Sequence, residues 1–219
     1  AADWLVFCAS FTMIAGSIVA LRQDNLKRRL AYSTVSQLSY VVLAAALLTP
    51  ASLVGAGLHI AAHAFGKITL FFAAGAILVA SHKTQVSQLA GIGRRMPWTM
   101  TAFAVASLSM IGLPPTGGFV SKWFILGGAL QAENLFVVAV LLVSTLLNAG
   151  YFLPIVHAAF FRPEAPHEAH GGGAHILHDH GEAPLAVVAA LVFTAAMTVV
   201  FFFAPGVFLD LSKFLAVLT

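Results

Sequence analysis

The sequence predicts an all-α, polytopic membrane helix bundle with about six transmembrane helices, and three observations predict it. First, 60% of the 219 residues are hydrophobic and only 9% are charged, whereas about 25% of residues are charged in an average soluble domain. Second, several apolar runs reach the roughly 20 residues that a helix needs to cross a bilayer. Third, basic residues collect in alternate connections between these runs. The net charge of +3 is too small to indicate nucleic-acid binding.

Six hydrophobic segments follow one another along the chain, and in lipid each must be helical because unpaired backbone groups are costly there. They are residues 4–21, 30–48, 53–80, 98–130, 135–161 and 184–209. The third, fourth and fifth exceed the length of one crossing, so we expect them to tilt, protrude or break. The chain starts at Ala1 and enters an apolar segment at once. We therefore expect that a preceding part is missing.

The fourth segment is predicted to be discontinuous. Its middle contains Pro114 and Pro115, which lack backbone donors, beside Gly112, Gly117 and Gly118, which tolerate unusual dihedral angles. Irregular backbone at membrane depth persists only where protein or a water-filled cavity covers it. A packing kink is the alternative interpretation, but this much disruption favours a functional break.

Basic residues predict the orientation. The first, third and fifth connections carry Arg22, Lys27, Arg28, Arg29, Lys83, Arg94, Arg95 and Arg162, whereas the second and fourth carry no lysine or arginine. Because basic connections stay in the cytoplasm, both termini should lie outside.

The fifth connection has a different composition from the rest of the chain. Between 163 and 182 it contains a triple glycine, four acidic residues and five histidines: His167, His170, His175, His178 and His180. Such a stretch cannot bury a core and is typical of a flexible loop. His-rich tracts bind metals incidentally, but a resident metal needs fixed ligand spacing. We expect no metal and no cofactor.

The chain is predicted to divide into three parts. These are a five-helix unit at 1–161, a His-rich cytoplasmic loop at 162–183 and a final transmembrane helix with its tail at 184–219.

Ionisable side chains inside the predicted spans are the strongest functional signal, because a charge at the bilayer centre costs at least about 2.5 kcal/mol. His59, His63 and Lys67 recur four residues apart and share one helix face, and Lys122 follows the predicted break. A row of titratable groups with water between them can relay protons. The alternatives are hydrogen-bonded packing for a histidine and snorkelling for a lysine. Lys67 is too far from both segment ends to snorkel, whereas His157 lies near an interface.

The second segment carries a further polar face. Ser33, Gln37 and Tyr40 fall on one side of a helix, where they either line hydrated space or hold helices together.

Three ordered motifs resemble the antiporter-like proton-translocating subunits shared by respiratory complex I, membrane-bound hydrogenases and the multisubunit Mrp sodium/proton antiporters. They are DNLKRRLAYSTVSQLSY at 24–40, HIAAHAFGKITLFFAAG at 59–75 and GLPPTGGFVSK at 112–122. Within the family the chain looks most like the D-type Mrp subunit. Lysine at position 122 argues against the complex I subunits that carry glutamate there. Ser39, where relatives commonly have glycine, and the His-rich loop depart from the pattern.

The resemblance implies a fold with two inverted five-helix repeats, each containing a discontinuous helix. This chain would supply the second repeat and the closing helix, without the first repeat. Lys67 then resembles the central lysine of the proton path, His59 and His63 the histidines beside it, and Lys122 the terminal lysine on the broken helix.

The predicted function is therefore cation/proton translocation by a subunit of a multisubunit Na⁺/H⁺ antiporter in the bacterial inner membrane, with no covalent chemistry in this chain. Its partners would be other subunits, the lipid bilayer, protons and, as a second candidate ion, Na⁺. One alternative is a proton-pumping subunit of a complex I or hydrogenase type complex. The alternative from another class is a non-conducting assembly subunit.

Overall fold

The computed structural model describes residues 2–164 and 181–217, and within these ranges the chain is helical apart from short connections and one isolated β-bridge. In chain order the α-helices are α1 (Ala2–Arg22), α2 (Leu26–Ala46), α3 (Pro50–Ser81), α4 (Pro97–Ile111), α5 (Gly117–Gln131), α6 (Leu135–Phe161), α7 (Leu185–Phe203) and α8 (Gly206–Val217). The predicted all-α bundle is confirmed.

Capping residues fix where several helices begin. The Asn25 side chain accepts a hydrogen bond from the Arg28 amide at 3.0 Å, so α2 starts one turn before the apolar segment. Thr49 and Ser52 form a reciprocal capping box at α3, with Pro50 in its first turn. These contacts satisfy amides that a helix leaves unpaired at its N-terminus.

Four of the described helices, α1, α3, α6 and α7, are long and apolar enough to cross a membrane by length and composition. The helix α4 is apolar but shorter than a span, and α4 and α5 contain 15 residues each. Together they form the fourth predicted segment, so its predicted discontinuity is confirmed. Gly112 ends α4 with φ at +91°, a left-handed conformation that glycine adopts without steric cost.

The sixth predicted segment, 184–209, differs from expectation because the structure divides it. Helix α7 ends at Phe203 and α8 begins at Gly206. Pro205 explains the interruption, since proline disfavours helical backbone in the preceding residue and has no amide to donate. The second piece packs back on α3, where the Phe208 ring meets the Phe65 ring at a centroid distance of 6.1 Å.

Three connections meet at one end of the bundle, which we call the basic end. Asn25 pairs with Gln85 in the isolated bridge, and the Gly91 amide donates to the Ala158 carbonyl at 3.0 Å. Glu164 forms ion pairs with Lys83 and Arg95 at 3.5 and 2.9 Å. The α1–α2, α3–α4 and α6–α7 connections are thus neighbours, as the alternation of basic residues predicts.

Helix α3 is the centre of the bundle, since it packs against α2, α4, α5, α7 and α8. Its apolar side chains Leu58, Leu70 and Ile77 are fully buried. The helix that carries the predicted titratable row therefore buries one face in the bundle, while Ile60, Ile68 and Val79 on its other face are exposed.

Candidate functional site

The titratable row of α3 lies inside the bundle. His59, His63 and Lys67 are only 1%, 9% and 6% exposed. Burying polar and charged groups costs free energy unless partners compensate them. The hydrogen-bond and ring partners of each side chain therefore indicate its chemical role.

Lys67 is held by α2. Its ammonium donates to the Ser33 hydroxyl and to the Leu30 carbonyl at 3.0 Å. The Phe152 ring of α6 lies 6.0 Å from the same Nζ atom. No carboxylate is among the buried side chains that the structure describes, so neutral oxygens and a ring surround this ammonium.

Lys122 sits at the break of the fourth segment. Its Nζ atom donates to the carbonyls of Met110 and Ile111 at 2.9 and 3.0 Å. These carbonyls belong to the last turn of α4, where the helix dipole is negative and carbonyls lack intrahelical partners. The Tyr40 ring lies 4.5 Å from the same Nζ atom. The broken helix thus provides the binding site for this ammonium. We call this site, formed by the Met110 and Ile111 carbonyls and the Tyr40 ring, the seat.

The two histidines lie between the lysines. The Nδ1 atom of His59 is 2.9 Å from the Ser121 hydroxyl, one residue before Lys122 in sequence. Its ring stacks on Tyr40 and His63, with centroid distances of 5.3 and 6.4 Å. The Nε2 atoms of both histidines are buried and have no hydrogen-bond partner among the described residues. Buried polar atoms of this kind are normally satisfied by water.

The predicted polar face of α2 faces this row. Ser33, Gln37 and Tyr40 are all fully buried. Gln37 donates through Nε2 to the Met110 carbonyl at 3.1 Å, so α2 also contacts the end of α4. Ser33 contacts Lys67 and Tyr40 contacts Lys122, so α2 contacts both lysines.

Sequence reasoning missed the contribution of α6. Tyr151 donates its hydroxyl proton to the Asn148 side chain at 2.6 Å, and Asn148 Nδ2 lies 3.5 Å from the Tyr40 hydroxyl. All three side chains are fully buried. Asn148 and Tyr151 are spaced like neighbours on a helix face. Applying the same face rule to the fifth segment would have found them.

The residues of the break occupy two different places. Pro114 and Pro115 are exposed in this chain, whereas Gly117 and Gly118 are buried. The prolines therefore lie at the surface of this chain beside the break, and a channel-lining or supporting role for Pro114, Pro115, Gly117 and Gly118 stays a prediction. His157 is also exposed, stacked on Phe161, and lies apart from the row.

A cavity of about 200 Å³ opens beside Lys122 between α5 and α6. Aromatic and aliphatic side chains form most of its wall, including Phe119, Trp123, Leu126 and Leu141. Lys122 thus lines this opening, whereas His59, His63 and Lys67 are not part of its wall.

Replacing Gly118 by alanine should destabilise the break. A Cβ atom at Gly118 would overlap the Ser109 carbonyl, which belongs to the backbone and cannot rotate away. We expect Gly118→Ala to lower stability by about 1–3 kcal/mol, the usual cost of overpacking. Thermal unfolding in detergent measures the loss. Gly127→Ala on the same helix is the matched control, because that position faces open space. Equal melting temperatures for the two variants would contradict the prediction.

The five loop histidines lie outside the described residues, and the described residues contain no cluster of metal-ligating side chains. The flanks of the loop are anchored without it. Glu164 pairs with Lys83 and Arg95, and Glu182 accepts hydrogen bonds from the Trp98 amide and the Thr99 hydroxyl at 2.8 and 2.7 Å.

Deleting residues 167–180 should therefore leave ion flux and its pH profile unchanged, since both anchoring glutamates remain. Flux in membrane vesicles, measured with and without added zinc, checks this expectation. A shifted pH profile, or a zinc sensitivity that disappears with the deletion, would instead assign a sensing role to the loop.

Comparison with known proteins identifies a family and several related chains. A family model described as NADH:quinone oxidoreductase/Mrp antiporter, TM, matches residues 1–148. NADH-quinone oxidoreductase subunit N of Desulforudis audaxviator is 46% identical over 158 residues, which are 72% of this chain and 32% of that protein.

Two solved structures share the fold. A chain of the Mrp complex from Dietzia sp. superposes with a TM-score of 0.86 at 26% identity and covers 98% of this chain and 46% of that chain. A chain of the membrane-bound sulfane sulfur reductase, an archaeal respiratory membrane complex, superposes with a TM-score of 0.81 at 27% identity, covering 94% and 32%. This chain therefore spans 32% to 46% of the length of these relatives.

Proposed function

The chain belongs to the NADH:quinone oxidoreductase/Mrp antiporter transmembrane family, and on that premise we propose that it translocates protons as one subunit of a multisubunit membrane complex. Protons move between Lys67 and Lys122 by way of His63, His59 and intervening water. No covalent bond to carbon is made or broken in this path.

The observation that carries the proposal is the continuous arrangement of titratable groups around α3. Lys67 follows His63 by one helical turn of α3, and the His63 ring stacks on His59 at a centroid distance of 6.4 Å. His59 contacts Ser121 and Tyr40. Ser121 directly precedes Lys122 in the sequence, and the Tyr40 ring lies against the Lys122 ammonium. The buried Nε2 atoms of both histidines supply positions for bridging water. A packing role alone would leave the buried ammonium of Lys67 and the half-buried ammonium of Lys122 without a reason for their cost.

Charge on Lys122 and the geometry of the break are coupled. The ammonium stabilises two carbonyls at the end of α4, and a neutral amine would hold them less strongly because it has fewer donors and no charge. Loss of the proton therefore loosens the seat and admits water to the break. We propose that this step releases protons to the outside, with the cavity beside Lys122 as the path for water.

The membrane potential sets the scale of this coupling. Moving one charge through the full potential changes the free energy by about 2.3 kcal/mol per 100 mV. Small changes in the proton affinity of Lys67 or Lys122 can therefore decide the direction of transport.

The proposal places the chain in the bacterial inner membrane with its basic end in the cytoplasm and both termini outside. The alternation of basic connections supports this orientation. The chain spans about a third to just under a half of the length of its relatives, so the first repeat of the family fold lies outside these 219 residues.

Two complexes are candidates for those partners. An Mrp-type Na⁺/H⁺ antiporter is favoured by lysine at position 122 and by the TM-score of 0.86 with a chain of an Mrp complex. A complex I type quinone oxidoreductase is favoured by 46% identity to a subunit N. The non-conducting assembly role is the remaining alternative, with the α2 and α6 polar groups holding helices together.

Purification of the native complex and vesicle transport together test these candidates. The complex is isolated through a tag on this chain, its other subunits are identified by mass spectrometry, and it is reconstituted with a pH-sensitive dye inside the vesicles. A sodium jump that moves protons, together with small antiporter subunits, supports the first candidate. Redox subunits and quinone-driven proton movement support the second. Vesicles that move no protons under either drive contradict translocation.

A further inference from the structure

We propose that Tyr40 is a positioning residue for Lys122: the face of its ring holds the ammonium at the break, and Asn148 and Tyr151 fix the ring in place. The inference rests on the proposed function, since it assumes that Lys122 carries a proton. It adds a residue whose ring face, oriented through its hydroxyl group, tunes transport by its electrostatic character.

The first support is the geometry at the ammonium. A lysine ammonium has three N–H donors, and two of them are directed to the Met110 and Ile111 carbonyls. The Tyr40 ring, with its centroid 4.5 Å from Nζ, is placed to receive the third. An aromatic face is negative at its centre and attracts a cation most strongly where water is excluded.

The second support is the position of the ring between two members of the row. Tyr40 is fully buried, and its other neighbour is the His59 ring at 5.3 Å, nearly parallel with an interplanar angle of 25°. One aromatic ring thus contacts the group that receives the proton and the group before it.

The third support is the way α6 fixes the ring. The Tyr40 hydroxyl lies 3.5 Å from Asn148 Nδ2, and Asn148 Oδ1 accepts a 2.6 Å hydrogen bond from Tyr151. The backbone of Tyr151 in turn accepts a 3.2 Å hydrogen bond from Arg29 of α2. The hydroxyl therefore serves to orient the ring, whereas the ring face meets the ammonium.

A cation held by a ring face responds to the charge state of its partner. The ring attracts the protonated ammonium and has no comparable attraction for the neutral amine. Tyr40 therefore stabilises the proton-loaded form of the seat specifically, which a purely structural aromatic residue would not do.

The test is a fluorination series at position 40 in the full complex, reconstituted in vesicles. Phenylalanine and its mono-, di- and trifluorinated analogues fill nearly the same space, but each fluorine weakens the negative face of the ring. We expect flux to fall stepwise across the series, by about tenfold in total, which is within the range of buried cation–π contacts. Tyr40→Leu should fall at least as far while the complex still assembles.

The same analogues at Phe103 are the matched control. That ring is fully buried in the main core cluster, and fluorination there should leave flux unchanged. A flat series at position 40, with Lys122→Leu inactive, would overturn the role of Tyr40 and leave the proposed function intact. An active Lys122→Leu variant would instead contradict the proposed function itself.

Discussion

Lys67→Met is expected to reduce proton flux by about 100-fold or more, the scale on which a positioned proton-transfer group contributes. Methionine has a similar length and no titratable group, so it fills the space beside Ser33 and Phe152 without carrying a proton. The complex should still assemble, because removing a buried charge that has no ionic partner also removes the cost of burying it. Flux is measured by pH-jump fluorescence in vesicles, with the amount of complex determined from the same preparation.

Lys27→Met is the matched control for this substitution. Lys27 lies on α2 at the basic end and is exposed, so its loss removes the same charge without touching the row. Flux should stay close to that of the parent protein. A comparable loss in both variants would point to a general effect of charge instead of a specific role for Lys67.

Lys122→Leu is expected to stop flux as well, for a different reason. Leucine removes the side-chain donor of the Ile111 carbonyl and leaves the Met110 carbonyl with Gln37 alone, and the ammonium that would carry the proton is gone. Lys122→Glu is the informative partner variant. A neutral carboxylic acid can donate to these carbonyls, whereas a carboxylate is repelled by them, so partial flux should remain with an altered pH dependence.

Assembly must be checked for both Lys122 variants, because the seat also joins α4 to α5. If Lys122→Glu assembles and conducts while Lys122→Leu assembles and does not, titration at this position is required. Full activity of Lys122→Leu would remove the residue from the path and leave the break as a packing feature.

The sequence predicts the bundle and most of the row because both depend on local rules. Apolar length gives the spans, and the four-residue spacing of His59, His63 and Lys67 gives their common face. Two prolines beside glycines give the break. The structure adds that α3 is central and that the end of α4 provides the carbonyls for Lys122.

What the sequence could not predict depends on contacts between distant segments. The face rule groups Asn148 with Tyr151, but only the packed structure shows that this pair reaches Tyr40 of α2. Tyr40 reads as part of a polar helix face, and only the packing of α5 shows that its ring meets Lys122. The interruption at Pro205 was not predicted for another reason. The residues on both sides of this single proline are apolar, so the hydrophobic segment continues past it in the sequence.

Proton flux through the assembled complex carrying Lys67→Arg tests the central claim most directly. Arginine keeps the positive charge and can reach the same oxygens, but it does not release its proton in proteins. If Lys67 transfers protons, the variant assembles and its flux falls to the background of empty vesicles. If Lys67 serves only as a fixed charge or a packing residue, the variant conducts like the parent protein, and normal flux would contradict the proposed path.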